Sequence, residues 1–227
     1  MKDNELRTLI ILVIITIFFS ISLSGMEYDI RGVVSEIELQ EIETLLDEGA
    51  ERFLPLFKLD INSRLEVMVC KDVVEFTTRT NANWWNGGHY IFPIIYLQPL
   101  YILKERGIFE ETVLHEFIHY CIEKICGKGC PLWLNEGLAL HFSGGKDSLN
   151  CMQRLNGGEE KKNTFFSSEI LDKMISSRDR EKNHDGYCLA SELVERIINE
   201  KGFDVILKGL IGLKTGDRNG VESLFHL

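Results

Sequence analysis

Clusters of basic residues are missing from this chain. It holds 25 Lys and Arg against 35 Asp and Glu, a formal net charge of −10 spread along its length. Phosphate backbones and anionic headgroups are held by gathered cations, so this balance argues against nucleic-acid binding and against docking on anionic lipid. Internal repeats and low-complexity tracts are also missing, which sets aside repeat architectures. What is present is apolar: 44% of the 227 residues are hydrophobic. That supports a sizeable core, argues against disorder and suits one globular domain.

No cysteine closely follows the N-terminal apolar stretch, so a lipoprotein anchor is not expected. Residues 9–23 (L-I-I-L-V-I-I-T-I-F-F-S-I-S-L) are uncharged, and Lys2 and Arg7 precede them, offset by Asp3 and Glu5. Ser22-Leu23-Ser24 then offers a small-x-small pattern before Gly25. A secretory signal peptide has this layout, and the apolar core is short for a membrane span. Two fates fit: cleavage as a signal peptide, or retention as a signal anchor that tethers the domain to the membrane. Either fate places the main domain, residues 26–227, outside the cytoplasm, with residues 1–25 as the export segment.

All six cysteines, Cys70, Cys121, Cys126, Cys130, Cys151 and Cys188, follow that segment. An even count in an exported domain suits disulfides, although six cysteines allow about 15 pairings. Cys126 and Cys130 invite a metal reading, but Gly127 and Gly129 mark a turn and no second close pair exists. Disulfide or buried thiol is the better reading for all six.

Ser35 is placed to cap an amphipathic helix over residues 36–54, with Ile37, Leu39, Ile42, Leu45 and Leu46 on its apolar side. Residues 65–70 (L-E-V-M-V-C) alternate as a strand, and residues 73–80 suit a short helix. Residues 81–88 (N-A-N-W-W-N-G-G) form a turn-rich stretch with two exposed tryptophans, Trp84 and Trp85. Residues 90–97 (Y-I-F-P-I-I-Y-L) read as a strand, which Pro93 confines to a sheet edge. Helices are expected over residues 109–124, from Pro131 to about Phe142, near residues 168–176, and over 187–201 and 203–213. The polar stretch 144–185 resembles an insertion. Strands followed by helices indicate an α+β domain, its sheet within about 26–108 and its helical half within about 109–227.

The chemistry concentrates in residues 113–120, V-L-H-E-F-I-H-Y. His115 and His119 stand four residues apart, so on a helix they lie one turn above each other and can grip one metal ion. Glu116 sits about 100° round the helix from His115, where its carboxylate can reach a water at that metal. A catalytic zinc takes three protein ligands and keeps one position open. Further on, in P-L-W-L-N-E-G-L-A-L, Glu136 stands where a helix–turn–helix can bring a carboxylate back to the metal. By position alone it is a surface glutamate, since most helix glutamates are solvated.

H-E-F-I-H followed by W-L-N-E-G-L-A resembles the gluzincin metallopeptidases, in particular the aminopeptidase N-like and peptidase MA-like groups. The resemblance spans residues 113–142. It implies a zincin-like fold with an edge strand above the active-site helix, and one zinc ion held by His115, His119 and Glu136. It also implies a general base at Glu116 and peptide or protein substrates. Residues 186–198 (G-Y-C-L-A-S-E-L-V-E-R-I-I) are similar to the tyrosine-bearing helix of the same group, whose hydroxyl donates to the developing oxyanion; Tyr187 is the matching residue. There the sequence departs, with Ala190 in place of the usual glycine. Thermolysin-like members carry an aspartate where this chain has Leu140, so the aminopeptidase-like branch fits better.

One absence bears on substrate. The aminopeptidases hold the substrate's free amino group with a glutamate upstream of the zinc helix, but residues 87–99 contain no acidic residue. Burying an ammonium without a counter-charge is costly. Cutting within chains is therefore expected, with the edge strand pairing an extended peptide. Of the other histidines, His141 is read as packing beside the site, His89 as a residue that could line the cleft, and His184 and His226 as incidental. Two further readings stay open: a catalytically inactive zinc module that binds a partner through Trp84 and Trp85, and an envelope-anchored protein whose metal is structural.

Overall fold

A computed structural model describes residues 25–60, 64–144 and 167–225. The N-terminal export segment, most of the expected insertion, Cys151 and His226 lie outside the described residues. The elements in order are β1 (Glu27–Gly32), α1 (Glu36–Leu56), β2 (Arg64–Val69), α2 (Val73–Thr80), β3 (Gly88–Ile91), β4 (Ile94–Leu97) and α3 (Leu100–Arg106). They continue with α4 (Phe109–Cys126), a single 3₁₀ turn, α5 (Leu132–Ser143), α6 (Ser168–Ile175), α7 (Arg180–Lys201), α8 (Phe203–Lys214) and α9 (Asn219–Phe225). The fold is α+β, a small mixed sheet followed by a helical half. None of these helices is long and apolar enough to cross a membrane.

The sheet has the order β1-β2-β4-β3, with β1, β2 and β4 parallel and β3 antiparallel to β4. In β2 the alternation of the sequence is the alternation of burial: Leu65, Val67 and Val69 are buried, and Glu66 and Met68 face the other way. Strand β1 was not evident in E-Y-D-I-R-G, which has too few apolar residues to alternate. It forms because its backbone pairs in register with β2, while Asp29 pairs with Arg31 and Arg64 and Tyr28 donates to Asp47 of α1 at 2.9 Å.

Residues 90–97 correct the single edge strand expected there. A turn at Phe92-Pro93 folds them into a hairpin, pairing Ile91 with Ile94 and Gly88 with Leu97. The outer strand is therefore β3, which begins two residues earlier, and β4 lies inside the sheet.

Ser35 caps α1 through a reciprocal capping box with Glu38. The helix buries Ile42, Leu46, Ala50 and Phe53, whereas Ile37 in its first turn is exposed. Helix α4 is the central element, packed on α1 and α5 and under β3. Phe142 at the end of α5 meets Phe53, Phe57 and Phe203 at centroid distances of 6.2, 5.8 and 5.3 Å. At the other end, Asp172 of α6 accepts from the Trp133 backbone N–H at 2.7 Å, satisfying one orphan donor of the α5 N-terminus. Helix α5 is thus fixed at both ends.

Helix α7 starts seven residues earlier than the sequence indicates. Gly186, just before the start expected at residue 187, sits mid-helix where α7 crosses α6 closely. A Cβ on Gly186 would lie 2.8 Å from the Ile175 backbone nitrogen. The real start is the Asp179 cap, whose side chain accepts from Lys182 N.

Candidate metal centre

His115 and His119 lie on successive turns of α4, and Glu136 reaches them from α5. The Glu136 Oε2 atom is 3.3 Å from His115 Nε2 and 3.4 Å from His119 Nε2. The three donor atoms lie within 4.8 Å of one another, so this group could hold a metal ion. Glu136, read from position alone as a solvated glutamate, is 8% exposed. What buries it is the crossing of α5 and α7: a Cβ on the next residue, Gly137, would lie 2.6 Å from the Ala190 carbonyl oxygen. That glycine lets the two helices close over the carboxylate.

The electrostatics couple the ligands. Burial alone would push the His119 pKa down, but the adjacent Glu136 carboxylate outweighs it and raises the value to about 9. Burial likewise opposes ionisation of Glu136, yet the two imidazoles hold its carboxyl far below the ordinary range. His119 Nδ1 is 3.0 Å from Asn135 Oδ1. Since that oxygen can only accept, Nδ1 carries a proton and Nε2 is turned to the ligand cluster.

Glu116 is the fourth member. It is 5% exposed, and its Oε2 has no hydrogen-bond partner among the described residues. Burying a carboxylate oxygen without a partner is costly, so the fold retains it against stability. Strand β3 makes room for it: a Cβ on Gly88 would lie 2.7 Å from Glu116 Cγ and 2.9 Å from Oε1. A carboxylate with one unpartnered oxygen beside two imidazoles and a second carboxylate is a donor set that would suit a divalent metal ion such as zinc.

Tyr187 of α7 reaches the same cluster. Its hydroxyl bonds to Glu136, and burial together with the Glu136 and Glu116 charges raises its pKa far above the ordinary tyrosine value. The phenol therefore keeps its proton and is a donor. Leu140, which packs against Tyr187, fills the position where a thermolysin-like chain would carry an aspartate.

These residues line a cleft of about 510 Å³. His89 of β3 is on its wall, as is Trp85, whose Nε1 lies 3.3 Å from Asn183 Oδ1. Trp85 is thus half-buried and not the exposed side chain expected; only Trp84 is exposed, at 61%. His141 stacks on Phe142 at 4.8 Å, away from the ligands. His184 lines the cleft too. It was read as incidental because it falls in the polar stretch taken for an insertion; on α7 it is three residues before Tyr187 and shares that face. The signal was Asp179 followed by Glu181, a helix start hidden by Gly186. Comparison with known proteins adds nothing to this geometry: no protein-family model and no curated protein matches the chain.

Proposed function

We propose that the chain is a zinc-dependent metallopeptidase of gluzincin type that cuts within peptide chains and acts outside the cytoplasm. The observation that carries this is the buried Glu116 carboxylate, whose Oε2 has no partner among the described residues, beside the cluster of His115, His119 and Glu136. A structural zinc site needs no orphan carboxylate, and a site with three protein ligands keeps an open position. Bound there, zinc would polarise a carbonyl and lower the pKa of water.

The chain's own residues supply the rest. Glu116 accepts the proton of the attacking water and passes it to the leaving amine. The Tyr187 hydroxyl donates to the oxyanion that develops on the carbonyl, an interaction strongest in the transition state. The outer edge of β3, Gly88–Ile91, is the strand against which an extended peptide would pair. Two acidic residues, Glu111 and Glu181, line the cleft from other elements. Glu181 is exposed and solvated, and half-buried Glu111 already has an interaction of its own, so both are poorer counter-charges for a buried ammonium than an uncommitted buried carboxylate, which favours internal cleavage over N-terminal trimming.

The test is metal analysis with digestion of a peptide library containing blocked and free N-termini, with and without chelator. Hydrolysis should disappear with chelator and return with zinc, and blocked peptides should be cut. The Glu116→Gln variant should keep its zinc and lose activity by ~100-fold or more. Full activity in that variant would remove the mechanism. Zinc bound without any hydrolysis would favour the inactive binding module.

A further inference from the structure

The turn joining the two ligand-bearing helices carries Cys126, the last residue of α4, and Cys130, just before Pro131. Both are free thiols. Cys126 is 2% exposed. Cys130 is half-buried, and both line a second cavity of about 290 Å³, which also holds Tyr90, Glu123, Lys128 and Asn135. The two thiols share that cavity wall on either side of the turn, and Cys126 Sγ lies 3.2 Å from the Gly127 carbonyl oxygen. The other two described free thiols, Cys70 and Cys121, are buried at 1% and 0% exposure.

We propose that Cys126 and Cys130 form a redox-active dithiol that exchanges with a small-molecule disulfide, such as oxidised glutathione, and closes a bond across the turn between α4 and α5. Cys130, facing the cavity, attacks one sulfur of the incoming disulfide as a thiolate and expels a thiolate. This leaves a mixed disulfide on Cys130. Cys126, on the same cavity wall, then attacks the Cys130 sulfur and expels the second glutathione thiolate. Two S–H bonds and one S–S bond are lost, and one S–S bond and two glutathione S–H bonds are formed, so electrons and protons balance. The hydrogen bond from Cys130 holds Cys126 below the ordinary thiol pKa and, with burial, pushes Cys130 well above it, so Cys130 reacts through its small ionised fraction and the exchange should quicken as pH rises.

The new bond ties the end of the helix carrying His115 and His119 to the start of the helix carrying Glu136. It therefore restrains the separation of the three ligands; this consequence rests on the metal reading, whereas the exchange does not.

The experiment treats the full chain with oxidised glutathione, alkylates the remaining thiols after denaturation and maps the tryptic peptides. Trypsin cuts at Lys128, so the bond should join two peptides through Cys126 and Cys130, with Cys70 and Cys121 alkylated. The Cys126→Ser variant should stop at a glutathione adduct on Cys130. Full alkylation of Cys126 and Cys130, or an adduct on Cys130 in the unaltered chain with no internal bond, overturns the proposal. Oxidation should slow zinc loss to a chelator by about tenfold, through ligands held closer to their bound geometry. An unchanged rate would remove the coupling to the metal centre. A chain that binds no zinc would sink the proposed function while the mass readout still decides the exchange.

Discussion

His119 Nδ1 and Asn135 Oδ1 are 3.0 Å apart, so the residue before one ligand orients another on a different helix. The pair turns Nε2 of that imidazole towards the cluster of donor atoms. In Asn135→Ala the ring loses that partner and can turn or change tautomer. Zinc affinity should fall by about 10–100-fold with the circular dichroism spectrum unchanged. Competition against a chromogenic chelator measures it, and an affinity equal to wild type would leave Asn135 without this role.

Gly88 is where the sheet touches the base. A Cβ there would lie 2.7 Å from Glu116 Cγ, closer than any relaxed contact. Gly88→Ala should displace the Glu116 carboxylate while leaving the three ligands on α4 and α5 in place. The expected outcome is stoichiometric zinc with kcat reduced by ~10–100-fold, the scale of a mispositioned general base. Loss of zinc together with activity would show instead that the strand shift disturbs the whole cluster.

Removing the Tyr187 hydroxyl tests the oxyanion role. Tyr187→Phe keeps the ring packed against Leu140 and deletes one donor. Donors of this kind are worth roughly 10²–10³ in kcat with little change in KM. A KM effect with unchanged kcat would make Tyr187 a ground-state contact.

With zinc as the proposed metal, protons should compete for this site. His119 has a pKa raised from 6.5 to about 9, burial being outweighed by the Glu136 carboxylate. A raised folded-state pKa means that the native chain holds this proton more tightly than the unfolded chain does. In chelator-treated protein, the stability from this pair is fully present below pH 6.5 and lost as pH rises through about 9. The melting temperature of that form should therefore fall across this window, and the fall should be smaller in Glu136→Gln. Zinc uptake at neutral pH should release protons, which an indicator dye will register; a flat profile with no release would refute the coupling.

The helical half of the fold was largely legible because its signals are local. Gly127 marks the end of α4 and Pro131 the entry to α5, and outside that half Ser35 marks the start of α1. Strand β1 was not legible, because its pairing energy comes from β2 and not from its own pattern. The hairpin at residues 88–97 was misread as one strand since an apolar run does not say where it turns. The start of α7 was misplaced because a glycine forced by the crossing of α6 looks like a breaker when seen alone.

By itself the sequence determined that two imidazoles and a carboxylate lie on neighbouring turns of one helix, because helical periodicity is a property of the chain alone. It also put Glu136 forward, through its resemblance to a motif. Only the tertiary structure decided that Glu136 is buried within 3.4 Å of both histidines, that Glu116 Oε2 has no partner among the described residues and that His184 joins the cleft. Those facts depend on how closely α5 meets α7 and β3 meets α4. Such approaches are set by glycines and packed side chains far apart in the sequence, where no local pattern can report them.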